Sequence, residues 1–83
     1  MIRVVLFASL RETLGTAETS LPGDHIGSVA DVIAALATRE GEAWRVALTA
    51  ENVKVAINQV MAQPLASVSA GDEVAFFPPV TGG

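Results

Sequence analysis

Residues 28–41 read SVADVIAALATREG. Val29, Val32, Ile33, Leu36 and Ala37 fall at i, i+3, i+4, i+7 and i+8, which makes one apolar stripe along a helix. Ser28 stands at the N-cap position. Asp31 follows three residues later at the capping-box spacing, with Asp in place of the usual Glu. Gly41 closes the segment. A helix with one apolar stripe has to bury it against another element, and the sequence on either side offers strands.

Ile2 to Ala8 alternates, with Ile2, Val4 and Leu6 on one side and Arg3, Val5 and Phe7 on the other. "SLRETLGT" then reads as a short helical turn ended by Gly15, which can take the left-handed conformation past a helix end. Thr16 to Leu21 reads as a second, edge-like strand stopped by Pro22 and Gly23. Beyond the helix, "EAWRVALTAEN" fits either a further helical turn or a loop carrying Trp44 into the core. Val53 to Asn58 is a strand, and Asn58-Gln59 turns it into a short strand at Val60 and Met61. Leu65 and Val68 are expected to anchor a loop. Gly71 and Asp72 turn the chain into a last strand, Glu73 to Phe77. Two early strands, one long helix and later strands predict an α+β fold: a mixed sheet with the helix across one face.

Eighty-three residues make one small domain with a single modest core. The hydrophobic share of 51% excludes disorder. The apolar runs are far short of the ~20 residues that span a bilayer, and the opening residues suit a strand better than a signal peptide. With no cysteine there is neither a disulfide framework nor a thiolate metal site, in keeping with a cytoplasmic location. The formal charge of −4 opposes non-specific binding to nucleic acid and favours a basic partner.

Catalytic groups are wanting. His25 is the one histidine, in a loop with Pro22, Gly23 and Gly27, and reads as solvated. A general base needs a positioned partner, and Glu12, Asp24, Asp31, Glu40, Glu42, Glu51 and Asp72 are scattered, with no convincing pair. "GDHIG" and "LGT" are too short to be phosphate loops. The chain's own residues form no active site.

The end is different. After Phe77 come Pro78, Pro79, Val80, Thr81, Gly82 and Gly83. One reading is a frayed end. The other is a presented one: the proline pair stiffens the exit from the strand, and the glycines, lacking Cβ, let another backbone or a nucleotide approach closely. A terminal carboxylate is ionised at neutral pH and can attack the α-phosphate of ATP. The acyl-adenylate so formed is open to a sulfur or nitrogen donor.

Three blocks in order, "VLFASLRETLGT" (5–16), "VAINQ" (55–59) and "GDEVAFFPPVTGG" (71–83), resemble the small subunits of molybdopterin synthase, sulfur carriers of the ubiquitin-like β-grasp fold. The resemblance implies a β-grasp domain over residues 1–78 and a flexible tail over 79–83. It implies that an adenylating enzyme related to ubiquitin-activating enzymes uses Mg-ATP to adenylate Gly83, with no cofactor bound stably by the carrier. A sulfur donor system then makes a thiocarboxylate. Val80, Thr81 and Gly82 would carry it into the large synthase subunit, which holds the catalytic side chains in a heterotetramer. There sulfur passes to cyclic pyranopterin monophosphate to build the molybdopterin dithiolene. If the first and last strands are parallel neighbours, Ile2, Val4, Leu6, Val74 and Phe76 face the helix. Phe7 and Phe77 then lie on the outer face, joined by Met61; with Pro78 and Pro79 they are the expected docking surface. A protein modifier, a thiamine-type sulfur carrier and a non-catalytic interaction domain are the alternative readings.

Overall fold

The computed structural model describes residues 1–78. In chain order its elements are β1 (Ile2–Leu6), α1 (Ala8–Leu14), β2 (Glu18–Leu21), α2 (Val29–Glu40), α3 (Glu42–Leu48), β3 (Lys54–Ile57), β4 (Val60–Ala62) and β5 (Glu73–Phe77). The five strands form one mixed sheet in the order β2-β1-β5-β3-β4. β1 and β5 pair in parallel at its centre, and the other pairings are antiparallel. The helices cover one face. This is the expected α+β β-grasp architecture, with two shorter helices added to the one long helix.

The core follows from the alternation. Ile2, Val4, Val74, Phe76, Val32 and Leu36 are at most 1% exposed. Val29, Ile33 and Ala37 complete the buried stripe of α2. Leu10 of α1, and Trp44 and Leu48 of α3, close the cluster, with Leu21, Val55 and Val68 around it.

Local chemistry sets the boundaries of α2. The Ser28 hydroxyl accepts the Asp31 N–H at 3.2 Å. The Asp31 carboxylate accepts the Gly27 N–H at 2.9 Å, one residue earlier than in the usual capping box. Gly41 ends the helix at φ 117° and ψ 165°, backbone that is essentially closed to other residues. It donates its N–H to Ala37 and also precedes α3, so one glycine divides what would be a longer helix. Arg39, in the last turn of α2, donates to the Ser20 carbonyl and the Thr19 hydroxyl at 2.8 and 2.7 Å. These bonds tie the helix to β2 and cover part of that edge strand.

Several expectations need correction. β1 ends at Leu6, not Ala8, because Ala8 takes φ 50° and turns the chain straight into α1. β2 starts at Glu18, although Ala17 still accepts the Leu6 N–H at 2.9 Å. The ambiguous segment after Gly41 is the helix α3, which buries Trp44 and Leu48 one turn apart. Leu65 is 85% exposed and anchors nothing; Val68 is the buried residue of that loop, with Ala66 packed beside it. Ala56 and Ala75 face away from the helices yet are buried, because small side chains in inner strands are screened by larger neighbours.

A polar clamp fixes the two turns at the far end of the sheet. Asn58 and Gln59 both have positive φ, as a two-residue hairpin turn requires. The Asn58 amide donates to the Asp72 carboxylate at 3.0 Å, and its oxygen accepts the Glu73 N–H at 2.9 Å. Asp72 also accepts the Ser69 N–H at 2.8 Å. The Ser69 N–H, and then the Asn58 amide, hold the Asp72 carboxyl below its ordinary value.

Two predictions follow the layers. Phe76→Ala removes a side chain 1% exposed at the centre of the core, and urea unfolding should show a loss of about 3–5 kcal/mol. Asp72 is a depressed carboxyl, so its stabilisation is present above the ordinary carboxylate pKa and disappears as pH falls through the lower folded value. In an acid titration of stability, Asp72→Asn should therefore flatten the decline in that acid window relative to the parent chain. An unchanged acid limb would show that the clamp is not coupled to folding.

Candidate functional site: the outer sheet face and the end of β5

The register of the sheet determines what lies on the face without helices. Val5, Ala75, Ala56 and Met61 form one row across β1, β5, β3 and β4. In the next row toward the end of β5, Lys54 stands opposite Phe77. Phe7 continues the alternation of β1 in extended backbone at φ −111°, ψ 151°, and its N–H donates to the Phe76 carbonyl at 3.2 Å. It therefore keeps the pairing with β5 for one residue beyond the strand. Phe7 and Phe77 stack with centroids 4.8 Å apart and planes 8° from parallel.

Of the five expected docking residues, the structure thus stacks Phe7 directly on Phe77. Phe7 is 40% exposed and Phe77 half-buried. Met61 is on the same face and 62% exposed, but lies two strands from Phe77. That is on the order of 10 Å across the sheet. Between them Ala56, Ala75 and Val5 form a low apolar floor. The alternation of β3 and β5 puts both alanines on this face, but they are not among the expected docking residues. Pro78 is half-buried directly after β5. Pro79, Val80, Thr81, Gly82 and Gly83, expected to be the working end, lie outside the described residues.

Charge on this face is uneven. Arg3 is paired with Glu18 and, at 3.2 Å, with Glu73. The Glu18 hydrogen bond chiefly, then the charges of Glu18 and Glu73, strengthen the hold of Arg3 on its proton. Exposed pairs of this kind add little stability, but they leave this part of the face with one more negative than positive charge. Among the described residues, no cluster of three His, Asp or Glu side chains could hold a metal, no buried side-chain polar atom lacks a partner, and no helix is long and apolar enough to cross a membrane. His25 is exposed in its loop at φ 64°. What the face offers chemically is an apolar platform beside the point where β5 delivers the chain's last residues.

Residues 4–83 match the ThiS family. The chain belongs to that family. Two curated relatives, from Haemophilus influenzae and Escherichia coli, are each named molybdopterin synthase sulfur carrier subunit. They are 39% and 36% identical over 83 residues, and the alignments cover all of this chain and all of each relative. Among solved structures, SAMP1 from Haloferax volcanii is 30% identical and superposes with a TM-score of 0.83 over 99% of this chain and 98% of its own. The ThiS-family match includes the segment after Pro78 as well as the sheet, so the family extends through the diglycine.

Proposed function

We propose that this chain is the sulfur-carrier subunit of a molybdopterin synthase. The observation that carries the reading is the full-length similarity, end to end on both sides, to two relatives of that name. The outer face supports it. A carrier must bind partners without chemistry of its own, and here an apolar platform with a stacked aromatic pair adjoins the root of the tail.

In this reading the Gly83 carboxylate attacks the α-phosphate of Mg-ATP on an activating enzyme, and pyrophosphate leaves. A sulfur donor displaces AMP, giving a thiocarboxylate. On the large subunit the thiocarboxylate sulfur would displace an oxygen substituent from the pyranopterin precursor, leaving carrier and precursor joined through a thioester. Water then releases the carrier with its carboxylate restored, and two loaded carriers in turn supply the two dithiolene sulfurs. The residues of this chain do three things. Val80, Thr81, Gly82 and Gly83 reach the reacting centre. Phe7, Phe77, Met61, Pro78 and Pro79 seat the domain. The core holds both in place. No cysteine is needed, because the sulfur rides on the terminal carbonyl carbon.

One observation favours a second reading. The solved relative from Haloferax volcanii belongs to proteins described as small archaeal modifier proteins. A modifier would be activated in the same way and then joined to a lysine. Intact-mass analysis separates the two. After co-expression with the activating enzyme and a sulfur source, a fraction of the chain should gain one oxygen-to-sulfur exchange at Gly83. Lysine conjugates without that exchange would establish the modifier reading instead. Deleting Gly83 should abolish sulfur transfer and leave the melting temperature unchanged, since the reacting carbon must be placed to within about an angstrom.

Docking has its own check. Phe77→Asp puts a charge at the edge of the platform, so it should weaken binding to the large subunit by at least about tenfold. The melting temperature should fall far less than for Phe76→Ala. Unimpaired binding would place the docking surface elsewhere.

A further inference from the structure

Three of the chain's five cations are paired with carboxylates: Arg3 with Glu18 and Glu73, Arg39 with Glu40, and Arg45 with Glu42. Arg11, in the helix α1, and Lys54 have no such partner among the described residues. Lys54 is set apart from Arg11 by its place on the sheet. It opens β3 on the outer face, is exposed, and stands directly across from Phe77. Among the described residues it has neither a carboxylate partner nor a cation–π contact with the Phe7–Phe77 pair. Nine acids against five cations leave no shortage of carboxylates with which to pair it. At this position an apolar side chain would extend the platform. A lysine instead puts a full positive charge on its rim at the tail end, while the Arg3–Glu18–Glu73 cluster leaves the other end negative.

Resting on the docking role given to this face above, we propose that Lys54 is a specificity residue: its ammonium meets a carboxylate on the rim of the protein that receives the tail. Apolar burial is non-directional. A platform of two aromatic rings and a few small side chains does not by itself define which way round a partner sits. The charge polarity of the face does. A partner seated correctly brings its carboxylate to Lys54; one turned end for end brings it against Glu18 and Glu73. A rim pair of this kind acts mainly on the association rate and on register, and it weakens with salt.

The test is stopped-flow binding of the full chain to the isolated large subunit of the synthase, at low and high ionic strength. Lys54→Glu should slow association roughly 3–10-fold at low salt, with the difference shrinking at high salt. Lys54→Arg should restore the rate. Arg45→Glu makes the same change of net charge on α3, in the helical layer on the opposite side of the sheet, and should alter the rate less than about twofold. Melting temperatures of all three variants should match the parent. If the parent chain binds but Lys54→Glu behaves like Arg45→Glu, this inference falls and the docking reading stands. A Lys54→Glu defect undiminished by salt also overturns it. A parent chain that does not bind the large subunit at all overturns the docking reading and the Lys54 inference with it.

Discussion

The parallel ladder between β1 and β5 is the constraint on which the rest of the molecule depends. It joins the first strand of the chain to the last and sets Arg3 level with Glu73 and Leu6 level with Phe76. Closing so long a loop costs about 4 kcal/mol beyond a constant. The pairing repays this through burial. Ile2, Val4, Leu6, Val74 and Phe76 all point to the helices and are almost wholly buried, and each contributes roughly 1.5–3 kcal/mol. The five together outweigh the closure cost. β2 and β3 can then add on the two sides of this pair, and α2 has a continuous apolar surface to cover.

The same ladder makes the outer face. Parallel neighbours end at the same edge of a sheet, so the residue after β1 and the last residue of β5 meet there. That is why Phe7 and Phe77 stack although they are far apart in sequence. A hairpin between the two strands would have sent their ends to opposite edges. The aromatic pair, and its place at the end of β5, are two consequences of one strand pairing.

Much of this was legible in the sequence because it is written in periods. The 3.6-residue stripe gave α2 with its cap. The two-residue alternation gave β1 and β5 with their faces, so Phe76 could be placed inside and Phe77 outside. Other features carry no period. α3 is short, and two inward residues a turn apart, Trp44 and Leu48, do not distinguish a helix from a loop until the neighbouring layer is known. Ala8 continues the strand pattern of β1, and nothing in an alanine announces a positive φ; tertiary packing imposes it. Hydrophobicity alone places Leu65 inside, yet single exposed leucines are ordinary. Of the candidate site, the aromatic pair was legible through the face assignment. The outward place of Ala56 and Ala75 is legible in the same way, but their burial is not, since burial of small residues depends on what stands next to them.

The division between faces also bears on the carrier role proposed above, which asks for no acid–base constellation in the domain itself. Catalytic groups would need burial and shifted protonation, and a core built from one sheet face and three helices has little room for either. The arrangement here puts the demands elsewhere. β5 is hydrogen-bonded on both sides, to β1 and β3, and Phe76 is locked into the core one residue before Phe77. Pull on the end of β5 is therefore resisted by an inner strand, not by an edge that peels. In the carrier role proposed above, a partner that takes hold of the last residues would load this inner strand. On that reading Gly82 and Gly83, the least stabilising of endings, cost the domain almost nothing, because the burial that holds the fold lies in the strand before them.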